Sequence, residues 1–249
     1  MPKLLAGNKI INCKLVIFDK DGTLIEQKPV LLALAKARFK SLAHLASRKV
    51  AEEWAKSVGI NLCTEEIDND GPLAVAPTRE EVLVAALVVY KCGIAGWNTA
   101  KELAEKAYAE ADKLMKPPYG AVLLVGVRKT LEALKAKGFK IALATTDSHK
   151  RAEESLNELG LTAFFDAVLG DDDVEHGKPM PDMILKACKL TRCLPTNAVM
   201  VGDSRSDMLM GKNAKVRACI GVLTGSTPKE KLEKIADIVA RSVADVRVK

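Results

Sequence analysis

From about residue 119 onward the chain alternates between amphipathic stretches and short apolar runs, and this alternation limits the fold more than any other feature. VRKTLEALKAKG reads as a helix closed by Gly138, and FKIALATT as a buried strand. SHKRAEESLNELG reads as a helix with Ser148 at its N-cap, FFDAVLG as a strand, PDMILKACKL as a helix and NAVMVGD as a strand. SRSDMLMGKNA, VRACIGVL, TPKEKLEKIA and DIVA continue as helix, strand, helix and a last short strand. Strands joined by helices cannot pair as hairpins. They form βαβ units and a parallel sheet covered on both faces.

One further strand signal, Lys14–Phe18, sits far upstream and belongs with that sheet. The territory between, roughly 28–116, reads as helical. Leu31–Gly59 carries apolar residues at helical spacing and is expected to form one long helix. Thr78–Gly93 starts with a Thr N-cap and acids in its first turn, and a third helix runs from Asn98 to the stop at Pro117-Pro118. No strand is expected in this region. The fold class is therefore α/β: a Rossmann-like, doubly wound parallel sheet of residues 1–26 and 118–249, interrupted by an all-helical domain of residues 27–117. Hinges are expected near Glu26–Lys28 and Lys116–Gly120.

Composition narrows the function classes. The 249 residues carry 38 basic and 32 acidic side chains, a formal charge of +6 spread along the chain. A nucleic-acid binder shows a basic block or stripe, so no nucleic-acid partner is expected. The longest apolar run, Val82–Tyr90, falls far short of the ~20 residues that span a bilayer. The first residues, MPKLLAGNKIINCK, are broken by Gly7, Asn8 and Lys9 and lack the unbroken apolar core of a signal peptide. Six cysteines show no metal-type spacing and read as reduced thiols. The expectation is a cytoplasmic protein without a membrane partner, acting as a monomer or homodimer.

Open parallel sheets gather their binding groups at the carboxyl ends of the strands. Those ends carry Asp19 and Asp21, then Thr145-Thr146-Asp147, Asp171-Asp172-Asp173 with Lys178 shortly after, and Gly202-Asp203 with Asp207 one helical turn on. Asp19, Asp203 and Asp207 offer hard oxygen donors suited to Mg²⁺. A lysine beside them repels a cation, so Lys178 makes sense only if an anion also arrives, and phosphate is the natural one. Thr145 adds a hydroxyl, and Gly22 and Thr23 are expected to offer backbone N–H groups in a tight turn. The set suits phosphoryl transfer from a small phosphorylated substrate.

These residues also resemble a known pattern. Asp19-Lys20-Asp21-Gly22-Thr23, Thr145 after its apolar strand, Lys178 in HGKPMPD and Gly202-Asp203-Ser204-Arg205-Ser206-Asp207 are similar to the four motifs of the haloacid dehalogenase superfamily, in order. The helical insertion resembles that family's type 1 alpha-helical cap, and the nearest likeness is to phosphoglycolate-phosphatase-like members. Thr146 stands where many of them carry Asn. The resemblance implies Asp19 as nucleophile, forming an aspartyl-phosphate, and Asp21 as general acid and base. It implies Mg²⁺ held by Asp19, Asp203, Asp207 and the backbone carbonyl of Asp21, with Lys178 and Thr145 on the transferring group. It leaves open a sugar phosphomutase, or a regulatory protein that binds a phosphometabolite without turning it over.

Weaker candidates surround this core. Thr146 and His176 lie close enough in sequence to the motifs to approach substrate, and Arg79 and Trp97 flank helix breaks in the insertion, where a cap would choose its substrate. Asp171 is a further candidate for shaping the metal site. Asp172 and Asp173 read as a solvated loop, and His44 and His149 as helix-surface residues.

Overall fold

The computed structural model describes residues 1–117 and 119–249. Pro118, half of the expected Pro117-Pro118 stop and the expected first residue of the returning core, lies outside the described residues. The chain divides into two compact units, residues 1–27 with 121–249, and residues 28–120.

The first unit opens on two strands that sequence reading does not find. β1 (Lys3–Ala6) and β2 (Lys9–Asn12) form a hairpin around Gly7, whose φ of +54° a side chain would strain. β3 (Leu15–Phe18) follows, all four residues buried. β1 finds its other neighbour at the far end of the sequence, pairing Leu4 with Val248.

The helical unit holds α1 (Gln27–Leu45, its first residue in the other unit), α2 (Arg48–Ser57), β4 (Ile60–Asn61), β5 (Glu66–Ile67), α3 (Pro72–Val75), α4 (Thr78–Lys91) and α5 (Trp97–Leu114). The single helix expected over Leu31–Gly59 is thus broken. Ser47 takes an extended conformation and its side chain accepts the Val50 amide, starting a new helix where apolar periodicity alone would have run through. The small β4–β5 hairpin also contradicts the expected absence of strands. The Asn61 side chain accepts the amides of Cys63 and Thr64, and two residues per strand leave no alternation to detect. Pro77, not Thr78, holds the cap position of α4, and α5 starts one residue before Asn98.

The unit has its own core around Trp54, which is fully buried. The Trp54 indole N–H donates to Tyr108 Oη at 3.0 Å. Arg38 lies over the Tyr108 ring and donates to Glu81 at 2.7 Å, a buried ion pair tying α1 to α4.

The rest of the first unit follows the expected alternation: α6 (Val127–Ala136), β6 (Lys140–Ala144), α7 (His149–Glu158), β7 (Ala167–Leu169), α8 (Asp182–Leu190), β8 (Ala198–Gly202), α9 (Arg205–Asn213), β9 (Ala218–Val222), α10 (Lys229–Leu232) and β10 (Ile238–Ala240); β11 (Val246–Val248), a strand that sequence reading does not find, then pairs with β1. Ser148 caps α7 as expected, accepting the Arg151 amide. The helix expected over TPKEKLEKIA shortens to the four residues of α10.

The described residues form a six-stranded sheet in the order β10-β9-β8-β3-β6-β7, every neighbouring pair parallel. β3 is central, and the winding reverses beside it, so its carboxyl end is the switch point where such sheets bind ligands. Register completes the placement. Phe18 sits level with Leu143 on one side and Val201 on the other, which sets Asp19 between the ends of β6 and β8. No described helix is long and apolar enough to cross a membrane.

Candidate active site

Three carboxylates meet beyond the end of β3. Oxygens of Asp19, Asp203 and Asp207 all lie within 4.8 Å of one another, and all three residues are buried. Asp19 follows directly from β3, its amide donating to Val201 O at 2.9 Å. Asp203 follows β8, and Asp207 stands in the first turn of α9. The sequence SRSD builds a capping box there. Ser204 Oγ accepts the Asp207 amide, while Asp207 Oδ2 accepts the Ser204 amide at 3.1 Å and the Ser204 hydroxyl at 2.6 Å. That leaves Asp207 Oδ1 to face the site.

Lys178 closes the arrangement. Its Nζ lies 2.5 Å from Asp19 Oδ1 and 2.7 Å from Asp207 Oδ1, with only 2% of its side chain exposed. Burial alone would push the ammonium toward its neutral form, but Asp19 and Asp207 hold its pKa above the ordinary lysine value. The carboxyls respond in the opposite sense. Burial lifts Asp19, opposed by Lys178 and reinforced by Asp207; burial also lifts Asp203, reinforced by Asp19 and Asp207. One ammonium against three carboxylates leaves two negative charges in excess. Hard oxygen donors with a charge deficit of two suit a divalent cation such as Mg²⁺.

Thr145 lies fully enclosed at the end of β6, its Oγ1 accepting the Asp147 amide at 3.2 Å. A hydroxyl used as an acceptor keeps its own hydrogen to donate. Thr146 beside it is half-buried. The expected amide cradle at Gly22 and Thr23 is not there. The Gly22 N–H donates to Ile25 O at 2.8 Å and the Thr23 N–H to Lys20 O at 3.3 Å, so both are spent inside the turn. These two residues support Asp203 instead. The Thr23 hydroxyl donates to Asp203 Oδ1 at 3.3 Å, and Gly22, at φ +78°, leaves room that a Cβ would fill 2.8 Å from Asp203 Oδ2.

The model of the haloacid dehalogenase-like hydrolase family matches residues 13–215, which span all of these groups. The chain belongs to that family. It is a hydrolase, and curated relatives extend the likeness over most of its length. A probable phosphatase of Dickeya dadantii is 31% identical, covering 88% of this chain and 85% of its own. A phosphorylated carbohydrates phosphatase of Thermotoga maritima is 30% identical, covering 84% of each chain. Among solved structures, one described as a predicted phosphoglycolate phosphatase from Haemophilus somnus superposes with a TM-score of 0.68. It covers 94% of this chain and 96% of its own at 22% identity, which speaks for the fold.

The His176 ring faces Asp182 Oδ1 at 3.3 Å, at the start of α8 and in an exposed position. Arg79, exposed in the first turn of α4, and Trp97, packed edge-on against Tyr90 at 6.4 Å, belong to the helical unit. Asp171 stays outside the carboxylate cluster. Asp172 is exposed as expected and His149 opens α7 with its side chain part-exposed, but both are engaged, and Asp173 is part-buried. Asp172 accepts the His149 amide, and Asp173 meets the His149 ring at 2.6 Å and Lys186 at 3.1 Å, pinning β7 to α7 and α8.

Two contributions escape sequence reading. Thr224 Oγ1 donates to Gly22 O at 2.6 Å and the Ser226 amide to Asp203 Oδ2 at 3.3 Å, so the loop after β9 buttresses Asp203. A TGST tetrad following an apolar strand was the available signal. The second is Lys20, buried against Asp21 and Asp147. It occupies the middle of a motif whose two outer acids draw the attention.

Proposed function

We propose that this hydrolase is a Mg²⁺-dependent phosphatase that cleaves small phosphate monoesters through an aspartyl-phosphate on Asp19. The observation that carries this reading is Lys178 bridging Asp19 and Asp207 inside a three-carboxylate cluster. Pure metal binding gains nothing from that ammonium, whereas an incoming phosphoryl group does.

Asp19 attacks phosphorus with one carboxylate oxygen as the bond to the leaving oxygen breaks. Asp21 gives its proton to that oxygen, then takes one from the water that releases phosphate from Asp19. Lys178 and the Thr145 hydroxyl orient and neutralise the transferring group. Asp19, Asp203 and Asp207, with the Asp21 carbonyl, would hold Mg²⁺, which when bound draws the substrate phosphate to Asp19 and offsets its charge. The helical unit is assigned the part of a substrate-selecting cap, with Arg79 and Trp97 its first candidates. Its insertion directly behind the nucleophile's strand supports that assignment.

The relatives named above, with a pyrophosphatase of Halalkalibacterium halodurans and a phosphoglycolate phosphatase of Aquifex aeolicus, guide the choice of substrates. Phosphate release should be measured over phosphorylated sugars, pyrophosphate and phosphoglycolate with Mg²⁺ present. Asp19→Asn and a chelator should each abolish it. Release that survives either change refutes the mechanism, and transfer between hydroxyls of one sugar without net release would identify a mutase.

A further inference from the structure

Beside the reacting groups stands a buried charge that the reaction above does not use. Lys20 stands between the nucleophile and the acid, and 1% of its side chain is exposed. Its Nζ lies 3.0 Å from Asp21 Oδ2 and 3.3 Å from Oδ1, a two-oxygen grip, and 2.7 Å from Asp147 Oδ2 on the other side. Asp147 Oδ1 in turn takes Arg151 at 3.3 Å. Four alternating charges, Asp21, Lys20, Asp147 and Arg151, thus run from the site to the first turn of α7. The backbone beneath is equally fixed, since Lys20 O accepts the amides of Leu24 at 2.8 Å and Ile25 at 3.1 Å.

Stability does not require such an arrangement. A buried ion pair adds little over apolar residues of the same shape, because desolvation offsets the attraction. What it supplies is direction. A carboxyl group with free rotation about χ1 and χ2 would spend little of its time aimed at one oxygen, and proton transfer demands hydrogen-bond geometry. Without Lys20, moreover, Asp21 and Asp147 would face each other as like charges.

We propose that Lys20 is a positioning residue for proton transfer: its ammonium, anchored on Asp147, holds the Asp21 carboxyl group toward the leaving oxygen of the substrate. The inference rests on the reading of Asp21 as general acid, and the experiment separates the two. In the step concerned, the Asp19 oxygen–phosphorus bond forms, the phosphorus–oxygen bond of the ester breaks, and the proton of Asp21 passes to the departing oxygen. An alkyl phosphate leaves as a strongly basic alkoxide and depends on that proton. p-Nitrophenyl phosphate leaves as a stable phenolate and scarcely needs it. The ratio of kcat/KM for the two esters therefore reads acid catalysis apart from fold, metal and phosphate binding.

The test compares wild type, Lys20→Met, Asp147→Asn and Asp21→Asn. General acids contribute about 100-fold to 10,000-fold, and misaiming one should forfeit a good part of that. Lys20→Met should lower the alkyl-to-aryl ratio by about tenfold or more, and Asp21→Asn by more still. Asp147→Asn, which keeps the shape of the side chain, should lower it by about threefold and carries the test alone if Lys20→Met does not fold. If the lysine and Asp147 variants slow both esters equally while Asp21→Asn lowers the ratio, Lys20 is structural and the inference fails, with the role of Asp21 intact. An unchanged ratio in Asp21→Asn overturns that role, and the inference with it.

Discussion

Lys178→Met should separate the electrostatic function of this lysine from its bulk. Methionine fills nearly the same volume, so the change chiefly removes one positive charge from contacts of 2.5 Å with Asp19 and 2.7 Å with Asp207. Three buried carboxylates then face one another without a cation, and the cheapest relief in the absence of metal is to protonate one. An aspartate ordinarily titrates at 3.8. Holding it protonated near pH 7 costs about 1.4 kcal/mol per pH unit, or about 4 kcal/mol, close to the 3–5 kcal/mol expected when a buried pair loses one partner. The sign follows from a raised folded-state pKa: stability is whole below the ordinary value and lost as pH climbs toward the raised one. Near pH 5 the loss should therefore shrink to about 2 kcal/mol. Urea unfolding of wild type and variant, in chelator at both pH values, measures this. Mg²⁺ in excess should then restore more stability to the variant than it adds to wild type, because three negative charges bind it rather than two. Phosphate release should stay lost throughout, since the incoming phosphoryl group no longer meets an ammonium. A variant within about 1 kcal/mol of wild type in chelator, or equal stabilisation of both proteins by Mg²⁺, refutes the charge argument.

Gly22→Ala should disturb the Asp203 carboxylate from behind. The left-handed backbone costs a side chain about 1–2 kcal/mol, and the added Cβ would press on Asp203. The Mg²⁺ concentration for half-maximal activity should rise about tenfold, and an unchanged Mg²⁺ titration counts against the contact. Asp166 gives a pH signature far from the site. Burial would raise its pKa, but Lys140, the Ile141 amide and Lys135 together hold it below the ordinary 3.8. Its contribution is present above that value and lost as pH falls through the depressed one. Asp166→Asn should accordingly be less stable near neutrality, with the gap narrowing below about pH 4 in denaturant titrations. A gap independent of pH would show the carboxylate's charge to be immaterial.

The fold was legible where structure follows local pattern. Strands β6, β8 and β9 are unbroken apolar runs bounded by glycine or polar residues, and a strand buried on both faces leaves that trace. β1 and β2 left almost none, because what stabilises β1 is partly a strand more than 240 residues away, a partner no local window contains. The break at Ser47 was hidden for the opposite reason. Helical periodicity persists across it, and only a side chain's choice of the Val50 amide ends one helix and begins another. At the site, Asp19, Lys178, Asp203 and Asp207 could be named because parallel sheets deliver strand ends to one edge. The supports could not. Gly22 and Thr23 were expected to offer amides, which the turn consumes internally, and their actual service to Asp203 depends on a loop 180 residues away. Lys20 leaves no signal of its own in the sequence, because its enclosure depends on Asp147, which the fold brings from over a hundred residues away.

The central place of β3 has a consequence during synthesis. The strand that leads to Asp19 ends at Phe18, yet its two neighbours end at residues 144 and 202. The helical unit, with a core of its own, is complete well before either. At about 5–20 residues per second, Leu15–Phe18 waits on the order of ten seconds or more for its second partner. Until β6 is made these four apolar residues have neither strand partner, and until β8 is made they have only one. The carboxylate cluster can assemble only after Asp203 and Asp207 have been made. A nascent chain stalled between residue 120 and β8 would carry every residue of the helical unit but neither Asp203 nor Asp207.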